Sequence, residues 1–368
     1  MKICFLIKPY DNYMHLRAKF FIDQGHEVYS IYFASKNKGA HSSFNWSGSV
    51  ALGRSSTLFV KYLNRILYPH QVTQFTNKHD IDIFHVNGML NSFYLPFSRA
   101  KKQVIENQGS DVIRTADRYP MLKPLYRFFY RFVDGVVQDS TIAQNKGIEL
   151  GSPTINNEVI EIGVDFRHYN PDVKCGKARK DLGLSDGDKM VFSSRAFTDI
   201  YNLDIVLKAI PIVIDSVKES KFVFASHHSG FMEKYGVLIN QLEIEEHVVL
   251  AGQLDHNKEM PYYCIDADVV LSVPSSDSSP ASVYEAMACK TPVIISDLPW
   301  YKDKFEKNHD MVVVPVRNVE KLADAIIKVL NGEQTVDVDS VYEKVFRNIN
   351  YKTENFKLEK LYYKIMEY

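Results

Sequence analysis

Residues 275–297 read SSDSSPASVYEAMACKTPVIISD, and the run just before them, ADVVLSV at 267–273, is apolar and β-branched. In order come a strand, a small polar loop holding Asp277, a helix start, a helix carrying Glu285, and a second apolar strand. Near-continuous Val/Ile runs, rather than alternating ones, mark strands covered on both faces. The pattern extends outward in both directions. KICFLI, EVYSIYF, IDIFHV, KQVIE and GVVQDS occupy the first half; KMVFSS, KFVFAS, HVVLAG, TPVIIS and DMVVVPV the second. Between them lie helix-period stretches such as YMHLRAKFFIDQGH, LDIVLKAIPIVIDSV and VEKLADAIIKVLNG. Strands alternating with helices predict parallel α/β sheets.

At 368 residues the chain exceeds the roughly 250–300 at which single cores stop growing. Two Rossmann-like domains are therefore expected. The polar stretch GVDFRHYNPDVKCGKARKDLGL (163–184) marks the boundary. It gives domains at 1–168 and 169–345, with a helical tail at 346–368. A net charge of −1 excludes a generic polyanion binder, and no nucleic-acid partner is expected. Residues 1–165 hold 19 basic and 14 acidic side chains, so the first half is mildly basic and the second mildly acidic. Four scattered cysteines show neither metal nor redox spacing and suggest a reducing compartment. The N-terminus lacks a leader pattern, and no run approaches the ~20 apolar residues of a membrane span. A cytoplasmic chain, at most peripheral on the inner face of the cell membrane, is the expectation.

Several stretches could carry chemistry. Ser279-Pro280 before ASVYEAMA reads as a helix start, with Ser as cap and Pro at the first helical position. Helix N-termini bind anions, and Glu285 is placed to accept two vicinal ribose hydroxyls; it also reads as the surface of a plain amphipathic helix. Arg195 follows the strand MVFSS, at the edge where α/β sheets bind ligands, and suits phosphate; the alternative is a domain-interface charge. VIENQGSDVIR puts Gln108, Gly109, Ser110 and Asp111 at the matching edge of the first domain, either as sugar-binding groups or as an ordinary turn capped by Asp111. RTADRYPMLKPLYRFFYRFVD (114–134) interleaves Arg and Lys with Tyr and Phe. It suits an anionic membrane interface through residues 114–132, or core packing. His227 and His228 lack the further ligands that a metal needs.

Taken together, the chain resembles the retaining glycosyltransferases of family 4. The resemblance rests on HLRAKFFIDQGHEVYSI, IDIFHVNG, VIENQGSD, EVIEIGVDFRHYNPD, HVVLAGQLDHNKEMPYYCIDADVVLSVPS and EAMACKTPVIISD. It implies the GT-B fold, with two facing Rossmann-like domains and a C-terminal helix crossing back to the first. It also implies a nucleotide-sugar co-substrate, a nucleoside diphosphate sugar, and neither metal nor other cofactor. The family's paired acids fall on Asp277, which would contact hydroxyls of the transferred sugar, and Glu285, which would bind ribose. The diphosphate-binding Arg falls on Arg195. Ser278, Ser279, Ala281 and Ser282 line the donor helix start. Gln108 stands where the family's first-domain His lies, with Gly109 and Ser110 on the acceptor side. Tyr201 replaces a Lys, and Lys290 replaces a Gly. With the second cation missing, His227 and His228 are expected to assist Arg195 at the donor phosphates.

The sequence therefore predicts a retaining transferase that moves a sugar to a saccharide or lipid-linked saccharide in surface glycan synthesis. The rivals are an inverting GT-B transferase or epimerase using Asp111 as base, and a catalytically inactive glycan-binding scaffold.

Overall fold

The apolar runs become the strands of two parallel sheets in the computed structural model, which describes residues 1–8, 11–34, 45–54, 68–225 and 228–367. The chain divides into two compact units: Met1–Ile162 with Lys352–Tyr368, and Gly163–Tyr351.

The first unit holds β1 (Lys2–Ile7), β2 (Glu27–Ala34), β3 (Gly48–Arg54), β4 (Ile83–Asn87), β5 (Lys102–Asn107), β6 (Gly135–Gln138) and β7 (Asn157–Val159). Their order is β3-β2-β1-β4-β5-β6-β7. β1 pairs in parallel on both sides, Ile3 opposite Val28 and Ile83. Ile3 through Ile7 are fully buried, and each such side chain contributes about 1.5–3 kcal/mol of burial.

This core also contains a charged cluster. Arg17, on the helix Asn12–Asp23, donates from Nε to Glu106 Oε1 at 3.1 Å and from Nη1 to Asn355 Oδ1 at 3.2 Å. Its Nη2 meets the carbonyls of Ile160 and Glu161 at 3.2 and 3.0 Å. His85 Nε2 lies 3.1 Å from the other Glu106 oxygen, and its Nδ1 lies 2.5 Å from Tyr362 Oη. Burial works to raise the Glu106 pKa, but Arg17 and His85 outweigh it and hold the carboxyl below its usual range. Burial pushes the His85 ring below its own ordinary value.

The tail makes two helices, Val338–Asn348 and Tyr351–Met366, broken at Ile349-Asn350. Asn350 bridges to Val164 beside Gly163, which has φ +78° and at which a Cβ would fall 2.6 Å from the Tyr351 backbone. From Lys352 the last helix belongs to the first unit and buries Leu358, Leu361, Tyr362 and Ile365.

Residues 110–132 form a chain of short helical pieces broken at Tyr119, with Pro120 and Pro124 in the first turns of the pieces they start, ending in Lys123–Phe129 and Tyr130–Phe132. Tyr126, Phe129 and Tyr130 pack inward. Tyr119, Met121, Leu125 and Phe128 stay exposed, Met121 by 83%. Arg114, Arg118, Lys123, Arg127 and Arg131 are exposed beside them.

The second unit holds β8 (Lys189–Ser193), β9 (Ser220–Phe224), β10 (Val248–Leu250), β11 (Val269–Ser272), β12 (Val293–Ser296) and β13 (Val312–Val314). Their order is β10-β9-β8-β11-β12-β13. Its core joins these strands to the helices Leu203–Ser216 and Val319–Leu330. Connections leave β8 and β11 in opposite directions. A sheet of this order opens a ligand crevice at that switch point, outside the carboxyl ends of the strands.

Candidate active site

The loops after β8 and β11 meet at the switch point of the second unit. Arg195, two residues past β8, donates from Nε and Nη2 to Ser272 Oγ, the last residue of β11, at 2.8 and 2.6 Å. Nη2 also reaches Asp277 Oδ2 at 2.8 Å. The guanidinium lies over the Tyr201 ring, 5.0 Å from its centroid. Tyr201, standing where a Lys was expected by resemblance, supports the cation with its ring face, a geometry that favours Arg over Lys. Among the described residues, Arg195 Nη1 has no hydrogen-bond partner.

Asn202 splints the two loops. Buried and left-handed at φ 51°, it donates to the Val273 carbonyl at 2.9 Å and accepts from Ser275 Oγ at 3.0 Å. Asp277 Oδ1 accepts the Ser278 N–H at 2.9 Å, so each of its oxygens has a donor.

The helix after this loop spans Ala281–Ala288, with Pro280 at the cap position and no side-chain cap bond. This shifts the expected start by one residue: Pro280 stands at the cap position and precedes the helix rather than opening it. Proline at the cap supplies no side-chain acceptor. Ala281 and Ser282 form the first turn, half-buried. Glu285 sits in the second turn and is 5% exposed, so it is not the surface residue of a plain amphipathic helix. Its Oε1 lies 2.8 Å from His256 Nε2.

His256 was not foreseen. It follows β10, in a turn where Asp255 Oδ1 accepts the N–H groups of Asn257 and Lys258 at 3.0 and 2.9 Å. Tyr169 Oη donates to the His256 carbonyl at 2.5 Å and fixes that turn. His256 lies six residues beyond β10, too far along the loop for the rule that singled out Arg195, a polar residue just past a strand's carboxyl end. His227 lies outside the described residues, as does the side chain of His228, which opens the helix His228–Leu242. Among the described residues, no three His, Cys, Asp or Glu side chains gather as a metal site would need.

In the first unit, Gln108 follows β5 half-buried, and Gly109 has φ −53°, so its glycine freedom is not used there. The Gly109 N–H donates to Asp139 Oδ2 at 2.8 Å. Ser110 opens the helical piece Ser110–Thr115; its side chain lies outside the described residues. Asp111 Oδ2 accepts the N–H of Met89 at 3.3 Å and, at 3.5 Å, that of Gln108. Burial raises the Asp111 pKa and these amides lower it, leaving it above the usual carboxylate range.

Residues 176–344 match the family described as "Glycosyl transferases group 1". The second unit carries a group 1 glycosyltransferase domain. The chain is also similar to alpha-monoglucosyldiacylglycerol synthase of Streptococcus pneumoniae, 25% identical over 243 residues. That match spans 65% of this chain and 53% of the synthase, about half its length. Among solved structures, sucrose-phosphate synthase from Thermosynechococcus elongatus superposes with TM-score 0.84 at 15% identity, covering 100% of this chain and 99% of that one. Anabaena Alr3699/HepE in complex with UDP-glucose does so with TM-score 0.79 at 15% identity, over 98% of each chain. With two Rossmann-like domains of seven and six parallel strands and these neighbours, the architecture is the GT-B fold.

One departure from the family pattern is visible in the backbone of this glycosyltransferase domain. Lys290, in the place of a glycine, is left-handed at φ 58°, with Nζ 2.5 Å from Asp339 Oδ1 and 5.2 Å from the Tyr342 ring centroid.

Proposed function

We propose that the protein transfers a sugar from a nucleoside diphosphate sugar to a saccharide or lipid-linked saccharide, with retention at the anomeric carbon. The observation that carries this reading is Arg195 held across the β8/β11 switch point by Ser272, Asp277 and Tyr201, with one guanidinium nitrogen to spare. Charge developing on a departing diphosphate needs a pre-aimed donor of this kind. Arg195 would take the phosphate, Asp277 the hydroxyls of the transferred sugar, and Glu285 the ribose. Ser278, Ser279, Ala281 and Ser282 would line the phosphate. Gln108, Gly109 and Ser110 are proposed for the acceptor side. Attack by the acceptor hydroxyl on the face vacated by the phosphate gives retention. The crystallisation of HepE with UDP-glucose supports a uridine nucleotide as the first donor to try.

The test is incubation with UDP-glucose, ADP-glucose and GDP-mannose, with the product anomer read by NMR. An α product from an α donor is expected. A β product would instead favour inversion with Asp111, whose raised pKa suits a base. No turnover or hydrolysis with any donor would favour an inactive scaffold.

A lipid-linked acceptor at the inner face of the cell membrane is proposed from residues 114–132. Among the described residues no helix is long and apolar enough to cross a membrane. Exposed Tyr119, Met121, Leu125 and Phe128 amid five exposed cations suit peripheral attachment to anionic lipid, where each basic residue contributes about 1 kcal/mol. The similarity to a diacylglycerol-modifying synthase supports this reading. Flotation with phosphatidylglycerol vesicles should carry the protein at low salt and lose it with Met121→Ser/Phe128→Ser; flotation unchanged by that double substitution would reject the surface.

A further inference from the structure

His256 and Glu285 form a pair that the proposed transfer does not by itself require. Both ring nitrogens of His256 face oxygen. Nε2 lies 2.8 Å from Glu285 Oε1, and Nδ1 lies 3.2 Å from Asn257 Oδ1. A neutral imidazole carries one N–H and can satisfy only one such acceptor, whereas the imidazolium satisfies both. The turn that holds the ring is fixed at the carbonyl by Tyr169 and at Asp255 by its amide bonds. Glu285 lies in the second turn of a helix, nearly buried, with Oε1 committed to His256 and, among the described residues, no hydrogen-bond partner on its other oxygen.

We propose that protonated His256 is the positioning residue for Glu285 and sets the affinity for the donor nucleotide. This rests on the donor reading above, in which Glu285 accepts ribose hydroxyls. The ring fixes one carboxylate oxygen and leaves the other aimed at the hydroxyls. It also cancels the carboxylate charge. With His256 protonated the pair is neutral; with it deprotonated the pair is anionic, and a diphosphate approaching the same sheet edge is repelled. The charged groups facing the ring are Glu285 and Asp255. Burial works against the charged ring, but Glu285 first, then Asn257 and Asp255, hold its pKa above the ordinary value.

The experiment is calorimetric titration with UDP-glucose, a diphosphate diester whose charge is constant over the range used, with ADP-glucose and GDP-mannose as alternates. Affinity in the wild type should fall about threefold to tenfold between about pH 6 and about pH 8. His256→Gln, which keeps a hydrogen-bond donor without the charge, should bind more weakly at the lower pH and show little pH dependence. Glu285→Gln should bind weakly throughout. In the unliganded protein, imidazole NMR should show His256 titrating at a lower pH once Glu285 is Gln. A wild-type pH profile retained in His256→Gln, with binding still lost in Glu285→Gln, would overturn this inference and leave the donor reading standing. Undiminished binding in Glu285→Gln, or no binding of any of the three donors to the wild type, would overturn both.

Discussion

Each sheet has a switch point, and each fills it with polar side chains, in contrasting ways. In the first unit, Asp11 follows β1 and Asn87 ends β4. Asn87 donates to Asp11 Oδ2 at 3.0 Å, while Asp11 Oδ1 caps its helix through the Met14 N–H at 3.1 Å. Beneath them Arg17 spends all three nitrogens on Glu106, Asn355 and two carbonyls. In the second unit Arg195 spans the gap, bonded through only two of its nitrogens. The side-chain exposures are 1% for Arg17 and 11% for Arg195. A buried arginine bonded through every nitrogen maintains architecture, because it has no exposed donor to offer a ligand. An arginine with a spare donor at a sheet edge is available for chemistry.

The largest expected effect breaks the first side of that contrast. Arg17→Ala leaves Glu106 buried with His85 as its remaining charged-group partner, and losing one partner of a buried pair costs roughly 3–5 kcal/mol. Urea unfolding should show it as a lost or separate transition. A cost under about 1 kcal/mol would mean that Glu106 simply takes up a proton. On the other side, Arg195→Ala should lower turnover by about 10²–10³ with little change in Tm, since Asp277 can hydrate at the site's edge. An equal fall in Tm would place Arg195 with the structural arginines.

The contrast was invisible in sequence, and the reason is physical. Arg17 lies in HLRAKFF and Glu106 in KQVIEN, where each reads as the polar face of an amphipathic element. Only the sheet order and the returning last helix bring them together. The strands themselves were legible because burial on both faces demands unbroken Val and Ile. The exception is β3, GSVALGR, an edge strand whose residues 48–52 alternate between partly buried and exposed; a search for continuous apolar runs passes over it. Arg195 was singled out by its place after a strand, and Asp277 and Glu285 by a loop and helix start between strands and by resemblance. His256 lies deeper in its loop, six residues past β10, LDHNKEM carries no periodic signal, and its acid lies 29 positions away.

Glu285→Ala should weaken donor binding by roughly ten- to a hundredfold, the 1.5–3 kcal/mol of a charge-assisted hydrogen bond, with the fold intact. Calorimetry that finds the donor bound as before would remove Glu285 from the site.

Acidity should separate the two units further. His85, depressed by burial, resists protonation in the folded first unit. Stability there is present above the unfolded value near ~6.5 and is lost as pH falls below it. The raised His256 contributes in the opposite sense, fully below ~6.5 and lost as pH rises through its folded value. Hydrogen exchange measured near pH 8 and near pH 6 should show protection rising around His256 and not around β4. Parallel changes in both regions would contradict the assignment.

The smallest effect concerns Lys290. Its left-handed backbone is costly for any residue with a Cβ, while its contacts to Asp339 and Tyr342 compensate. Lys290→Ala keeps the strain and loses the contacts; Lys290→Gly loses both. Melting temperatures should therefore rank Gly above Ala, and the reverse order would show that the backbone is relaxed.

The first unit is assembled from both ends of the chain, and this imposes an order on synthesis. As the ribosome proceeds, residues 1–162 emerge first but lack Asn355 and Tyr362, the partners of Arg17 and His85. The second unit, contiguous from Gly163 to Tyr351, can close before the first is complete. Until the helix from Tyr351 is made, the nascent first unit holds an ion pair with an unfilled side and an apolar groove awaiting Leu358 and Leu361. A ribosome stalled within that helix would leave a finished second unit on an unfinished first one, a product for holdase chaperones and proteases.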